Sequence, residues 1–152
     1  MSAEQRLKDL GITLPEPAKA VANYVPYVRT GNLLSISGQI SASPDGLVTG
    51  LVGRDLDTEA GAAAARLCGI NLIAQMKAAC DGDLTRVRRI VKLGGFVASA
   101  EGFDQQPKVV NGASDLMVAV FGEAGRHSRS AVGVNALPLG VAVEVDALVE
   151  ID

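Results

Sequence analysis

The sequence predicts an α+β fold: a two-layer sandwich in which one mixed sheet of about six strands carries two helices on one face, with a further short helix at the N-terminus. Three observations carry this expectation. Two segments, around 65–80 and 109–121, repeat apolar residues at helical spacing. The stretch from Val141 to Ile151 alternates strictly, as a strand buried on one side does. The segments run in the order β-β-(β)-α-β-α-β-β, the pattern of one sheet with its helices gathered on one side.

Each element has a local reason. Ser2 and Gln5 stand at capping-box spacing ahead of Leu7 and Leu10, and Gly11 follows where a helix end favours a left-handed residue. Pro15 and Pro17 make the next stretch an extended surface linker. Tyr24–Val28 and Leu33–Ser37 are short apolar runs around a turn at Arg29–Asn32. They form a hairpin whose first arm Pro26 confines to a sheet edge or a bulge. Ser43–Gly46 signals another turn, with a third short strand over Leu47–Val52.

Ala65, Cys68, Gly69, Leu72, Met76, Ala79 and Cys80 then share one face of a long helix that opens on Asp57 and Glu59 and ends near Gly82. Leu67, Ile70 and Ile73 widen its apolar surface, so it is covered on more than one side. Val87–Ala100 reads as a long strand with a bulge or kink at Gly94–Gly95. Pro107 suits the first turn of a second helix, whose apolar residues run from Val109 to Phe121 before Gly122–Gly125 stops it. A hairpin from Arg129 to Ile151 closes the chain.

The 152 residues suffice to bury about 70% of the surface an unfolded chain exposes, so one core forms without a staple. Residues 1–21 are expected to be a helix-and-linker extension and residues 22–152 a single domain. A net charge of −3 and a total of two Tyr, three Phe and no Trp offer little to a polyanion or to stacked bases, which makes nucleic acid an unfavourable partner. Cys68 and Cys80 lie about 18 Å apart along one helix, too far to bridge, and read as reduced core residues of a cytosolic protein. With one histidine, His127, no metal-ligand set is spaced together, and neither metal nor cofactor is expected. No apolar run approaches a membrane span, and a cytoplasmic location is the expectation. His127, beside Arg126 in a glycine-flanked loop, is expected to be exposed and without a partner that would make it an acid or base.

The final strand points to a site. Val141, Val143, Val145, Ala147, Val149 and Ile151 share the face that belongs under the helices, and Glu144 points the other way. The same parity carried back to Arg129–Val134 puts Ser130, Val132 and Val134 on the helix side and Arg129, Ala131 and Gly133 on the uncovered side with Glu144. Ala131, Gly133, Ala142 and Leu148 would leave that side weakly apolar, which association with other copies would cover. Two readings of Arg129 and Glu144 stand open here: a cross-strand ion pair, or a guanidinium that grips the carboxylate of a small organic acid. Tyr24, Ser37 and Asn111 taken alone are an edge-strand aromatic, a strand hydroxyl and a first-turn helix residue.

The stretches TGNLLSISGQI (30–40) and RSAVGVNALPLGVAVEVDALVEI (129–151) resemble the RidA/YjgF family, also labelled endoribonuclease L-PSP, over roughly Tyr24–Ile151. The resemblance implies a chorismate-mutase-like fold assembled as a homotrimeric barrel, with a ligand cleft at each subunit boundary. It implies a small-carboxylate ligand, and hydrolysis of reactive 2-imino or enamine acids to 2-keto acids and ammonia. The family's carboxylate-binding arginine falls on Arg129 and the glutamate near the attacking water on Glu144. Tyr24, Ser37, Gly38 and Asn111 match further cleft positions. Ala131 stands where many members have a cysteine and Gly133 where an acidic residue is frequent, so a thiol mechanism at 131 is excluded. Losing both groups should enlarge the pocket, suiting a bulkier or more apolar acid, or a trimer that binds metabolites without turning them over. Ribonuclease activity, the other family label, sits poorly with the acidic charge.

Overall fold

A computed structural model describes residues 1–152. The helices are α1 (Ala3–Asp9), α2 (Thr58–Ala79) and α3 (Gln106–Phe121). The strands are β1 (Tyr27–Thr30), β2 (Leu33–Ile40), β3 (Ala42–Ser43), β4 (Gly46–Leu47), β5 (Val87–Ala98), β6 (Ser128–Val134) and β7 (Val143–Ile151). Both N-caps are where the sequence places them: Ser2 Oγ accepts from Gln5 N at 3.1 Å, and Asp57 Oδ1 from Ala60 N at 2.8 Å. Pro107 lies in the first turn of α3, and Gly122, at φ 63°, ends it.

Five strands form the main sheet in the order β1-β2-β7-β5-β6; all neighbours are antiparallel except β5 and β6. The sheet is mixed, as expected, but the run over 47–52 does not join it as a sixth strand. Gly46–Leu47 closes a separate two-stranded ribbon with β3, and Thr49 and Val52 make only isolated bridges. Helices α2 and α3 cover one face. Leu72, Ile73 and Met76 of α2 and Val109, Val110 and Met117 of α3 pack on Leu34, Ile36, Ile90, Leu93 and the alternate valines of β7, all at 0–2% exposure. Leu7 plugs α1 into the same core. Both cysteines are free and buried in it. No helix is long and apolar enough to cross a membrane.

The terminal hairpin of the sequence reading does not exist. α3 joins β5 to β6 as a crossover, and a crossover of that length makes its two strands parallel neighbours. β6 is therefore the sheet edge, and β7 pairs on the far side of β5, between β5 and β2. Alternation within two strands says nothing about whether they touch.

The parity assigned to β6 reverses for the same reason. Arg129 pairs with Leu93, and Ala131 with Gly95, both on the helix side of β5, so Arg129, Ala131 and Gly133 face α3. Val132 pairs with Phe96 on the uncovered face, 45% exposed. That face is weakly apolar through Val28, Leu33, Val132, Phe96 and Leu148; Ala142 is fully buried.

Two further details differ. Gly94 and Gly95 are not a bulge; β5 is irregular instead between Val87 and Arg89 and between Ile90 and Lys92. The glycines make room: a Cβ on Gly94 would collide with Asp146 on one face, and one on Gly95 with Val110 on the other. Pro26 keeps β1 at the sheet edge, but the strand begins at Tyr27, leaving Tyr24 in the preceding loop.

Candidate functional site

The six candidate residues fall into two groups on opposite faces of the sheet. Tyr24, Ser37, Gly38 and Glu144 line one cleft of about 500 Å³, together with Val21, Pro26, Pro138 and Leu139. Arg129 and Asn111 sit on the helix side, at the sheet edge, with β5 between β6 and β7. Within one chain Arg129 and Glu144 neither pair nor share a pocket. The ion-pair reading is overturned, and so is their placement on a common face.

The Glu144 cleft is shaped by a break in β2. Ile36 pairs with Ala147 and Gln39 with Val145, so Ser37 and Gly38 together oppose Asp146, a bulge of two residues against one. The extra residue shifts parity: Leu34 and Ile36 before the bulge, and Gln39 and Ser41 after it, all turn to the helix side. Ser37 is pinned there by its amide to Pro26 O (2.9 Å) and its hydroxyl to Val25 O (2.8 Å), which ties the Tyr24 loop to the strand. Gly38 has no side chain because the carboxylate of Glu144 fills the space; a Cβ would lie 2.9 Å from Glu144 Oε2.

Across the cleft runs the linker of 18–21, fastened where buried Gln75 of α2 donates to Ala18 O at 2.8 Å. Leu139 closes the rim, 74% exposed and held at φ 60°, a left-handed conformation that costs a branched residue about 1 kcal/mol. Val21 is equally exposed and Tyr24 is 56% exposed, so the mouth of this cleft is apolar. Burial raises the pKa of Glu144 above the ordinary glutamate value, and the charge of Asp146 on the same face adds to the rise. Burial raises Asp146 as well, opposed by the Gly94 amide and Lys92.

Arg129 is anchored by α3. Nη1 donates to Asn111 Oδ1 (2.7 Å) and Ser114 Oγ (3.1 Å), and Nη2 to Pro107 O (3.1 Å). Asn111 and Ser114 are three apart and share one helix face, so two acceptors meet one nitrogen. A guanidinium carries five N–H donors. Three are engaged, and Nε–H and one Nη2–H have no partner in the chain.

His127 is not the isolated loop residue the sequence suggests: Nδ1 lies 2.6 Å from Gly125 O and Nε2 2.8 Å from Ser114 Oγ. Ser114 and His127 escape the sequence reading, since a polar residue on the β-facing side of a helix and a loop imidazole meet only after β6 is placed. The signal available was Ser114 three residues after Asn111, on the same face.

The space at Gly133 is not open either. A Cβ there would lie 2.6 Å from Gln106 Nε2, because the Gln106 amide occupies it, bonded to Phe103 O and Ser99 Oγ. The expected enlargement is thus absent at Gly133. No three His, Cys, Asp or Glu side chains come together as a metal-binding set.

Comparison with known proteins agrees with this architecture. A family model described as "YjgF/chorismate mutase-like, putative endoribonuclease" matches residues 4–151. Protein TCP17 of Trypanosoma cruzi is 52% identical over 96% of the chain and 92% of its own length. The crystal structure of Atu1372 from Agrobacterium tumefaciens, of unknown function, is 53% identical and superposes at TM-score 0.93 over 99% of this chain and 92% of that one. The YjgF gene product of E. coli is 31% identical and superposes at TM-score 0.62, over 90% of this chain and 95% of that one.

Proposed function

Because the chain belongs to the YjgF/RidA family, we propose that it hydrolyses 2-imino acids to 2-keto acids and ammonia, in clefts that join the Arg129 side of one copy to the Glu144 side of the next within a homotrimer. The observation that carries this reading is the division of the site. One face offers a guanidinium with a free two-donor edge, matched to a carboxylate. The other offers a half-buried carboxylate with a raised pKa. Neither half is complete alone, and the weakly apolar uncovered face that carries Glu144 invites another copy.

The chemistry asks little more. Arg129 holds the substrate carboxylate and so fixes the imine carbon beside it. Glu144 of the neighbouring copy takes a proton from water as the oxygen attacks the carbon of the protonated imine. The C–O bond forms, the C=N π pair passes to nitrogen, and a neutral carbinolamine results. The protonated Glu144 returns its proton to nitrogen, and the C–N bond breaks as the hydroxyl oxygen forms the C=O bond. The hydroxyl proton passes to the departing ammonia, so that ammonium and the 2-keto acid leave and Glu144 is again a carboxylate. A pKa raised towards the working pH favours both roles of one carboxyl, base and then acid. The apolar cleft mouth of Val21, Tyr24 and Leu139 suits an acid with a bulky apolar side chain. Endoribonuclease activity has less support, since the net charge is −3 and the cleft carries no cluster of cations.

Complementation tests this directly. Arg129→Ala and Glu144→Gln are each expected to reduce keto-acid formation from imino acids generated by an amino-acid oxidase to a small residual rate. Co-expressed at equal amounts, they should regain roughly a quarter of wild-type activity, because about a quarter of all clefts in randomly mixed trimers receive an intact half from each partner. No recovery overturns the shared cleft. Carboxylate binding by the wild type without turnover leaves a metabolite-binding module in place of the enzyme.

A further inference from the structure

Behind Arg129 runs a chain of hydrogen bonds that the proposed reaction does not use. The carbonyl oxygen of Gly125 can only accept, so at 2.6 Å it places the proton of a neutral His127 on Nδ1. Nε2 then presents a lone pair, and Ser114 Oγ, 2.8 Å away, gives it the only proton that hydroxyl has. What remains on Oγ is acceptor, turned to Arg129 Nη1 at 3.1 Å. With His127 neutral the polarity runs one way from end to end: Arg129 donates to Ser114, Ser114 to His127, His127 to Gly125.

A serine within a helix ordinarily turns its hydroxyl back to the carbonyl one turn earlier. Here His127 captures it, and Ser114 becomes a fixed acceptor beside Asn111. Arginine on an edge strand has long, freely rotating bonds, and two acceptors on one nitrogen fix both the position and the plane of its guanidinium.

We propose that Ser114 and His127 are positioning residues for Arg129, holding the guanidinium so that its unpaired Nε–H and Nη2–H face a ligand carboxylate. The proposal rests on the reading of Arg129 as a carboxylate clamp and adds the device that aims it. Neither residue touches the ligand. Their contribution is to carboxylate recognition, and a neutral ligand of the same shape is indifferent to them.

Pyruvate and pyruvamide, equal in size and different in charge, provide the test on the full-length protein. Wild type should bind pyruvate more tightly. Ser114→Ala and His127→Phe should each cut that preference about tenfold, roughly the share of one hydrogen bond to a charged group, with pyruvamide affinity unmoved. Ser114→Thr, which keeps the hydroxyl, should restore it. Ser114→Ala favours helix and should fold; His127→Phe removes the acceptor while leaving every residue of α3 unchanged. In ¹⁵N spectra of the guanidinium group, rotation about the Arg129 Cζ–Nη bonds should be restrained in wild type and averaged in both variants.

A full pyruvate preference in both variants, or equal losses for pyruvate and pyruvamide, overturns the positioning role. If Arg129→Ala itself retains the preference, the clamp reading fails first, and the two failures are told apart by that variant.

Discussion

Replacing Gly38 by alanine separates the position of one carboxylate from the stability of the fold. A Cβ at this bulge residue would lie 2.9 Å from Glu144 Cδ and Oε2 and 3.0 Å from Cγ. Carbon atoms pack at about 3.5–4.0 Å, so the carboxylate must withdraw by roughly 0.6–1 Å. Gly38 is not held at positive φ, so alanine adds no backbone strain. The obstacle is the end of a flexible side chain, and a Glu144 pushed off its rotamer costs about 0.5–1.5 kcal/mol. At about 2–4 °C per kcal/mol for a chain of this size, Tm should fall by only a few degrees.

Catalysis is less forgiving: a reacting group displaced by about 1 Å loses on the order of 10²-fold. Gly38→Ala is therefore expected to lower kcat/KM for 2-imino acid hydrolysis by about 10- to 100-fold in a coupled keto-acid assay. Added to Glu144→Gln it should cost almost nothing more, because the group it displaces is already disabled. Full activity in Gly38→Ala, additive losses in the double variant, or a Tm drop beyond about 10 °C would refute the reasoning.

The remaining predictions rest on the same geometry. Since burial and Asp146 raise the pKa of Glu144, the acid limb of the pH–rate profile should begin at higher pH than for an exposed glutamate, and Asp146→Asn should move it to lower pH. Asp146 is itself raised in the folded chain, so its stability is complete below the unfolded value of about 3.9 and is lost as pH rises through the folded pKa. Asp146→Asn should accordingly raise Tm at neutral pH and leave it unchanged in acid, measured by calorimetry at both. Gln75→Ala removes the bond to Ala18 O and should expose the linker to trypsin after Lys19 while costing about 1–3 kcal/mol in denaturant unfolding. Burial drives the Cys68 thiol far above its ordinary pKa, so a thiol reagent should label it only once the protein is unfolded.

How much of this was legible in the sequence follows from the range of each interaction. Caps, turns and periodic faces are set by residues within one turn of each other, and Ser2, Asp57, Pro107 and the alternation of 141–151 each mark the element they belong to. The two-residue bulge at Ser37–Gly38 left no local mark, since it is defined by register against β7. His127 and Ser114 are thirteen apart in the chain and meet only because α3 and β6 pack together.

By itself the sequence determined the element types, the α+β order, a core assembled from the alternate residues of its strongest strand, and the family to which its two motifs belong. Only the tertiary structure decided that β5 lies between β6 and β7, and with it the face each strand shows. Strand alternation carries two phases of equal local energy. The choice between them is made by which neighbour supplies the hydrogen bonds and where the crossover helix lands, and neither is encoded within the strand. That choice puts Arg129 against α3 and Glu144 on the opposite face, so that one chain carries two half-sites.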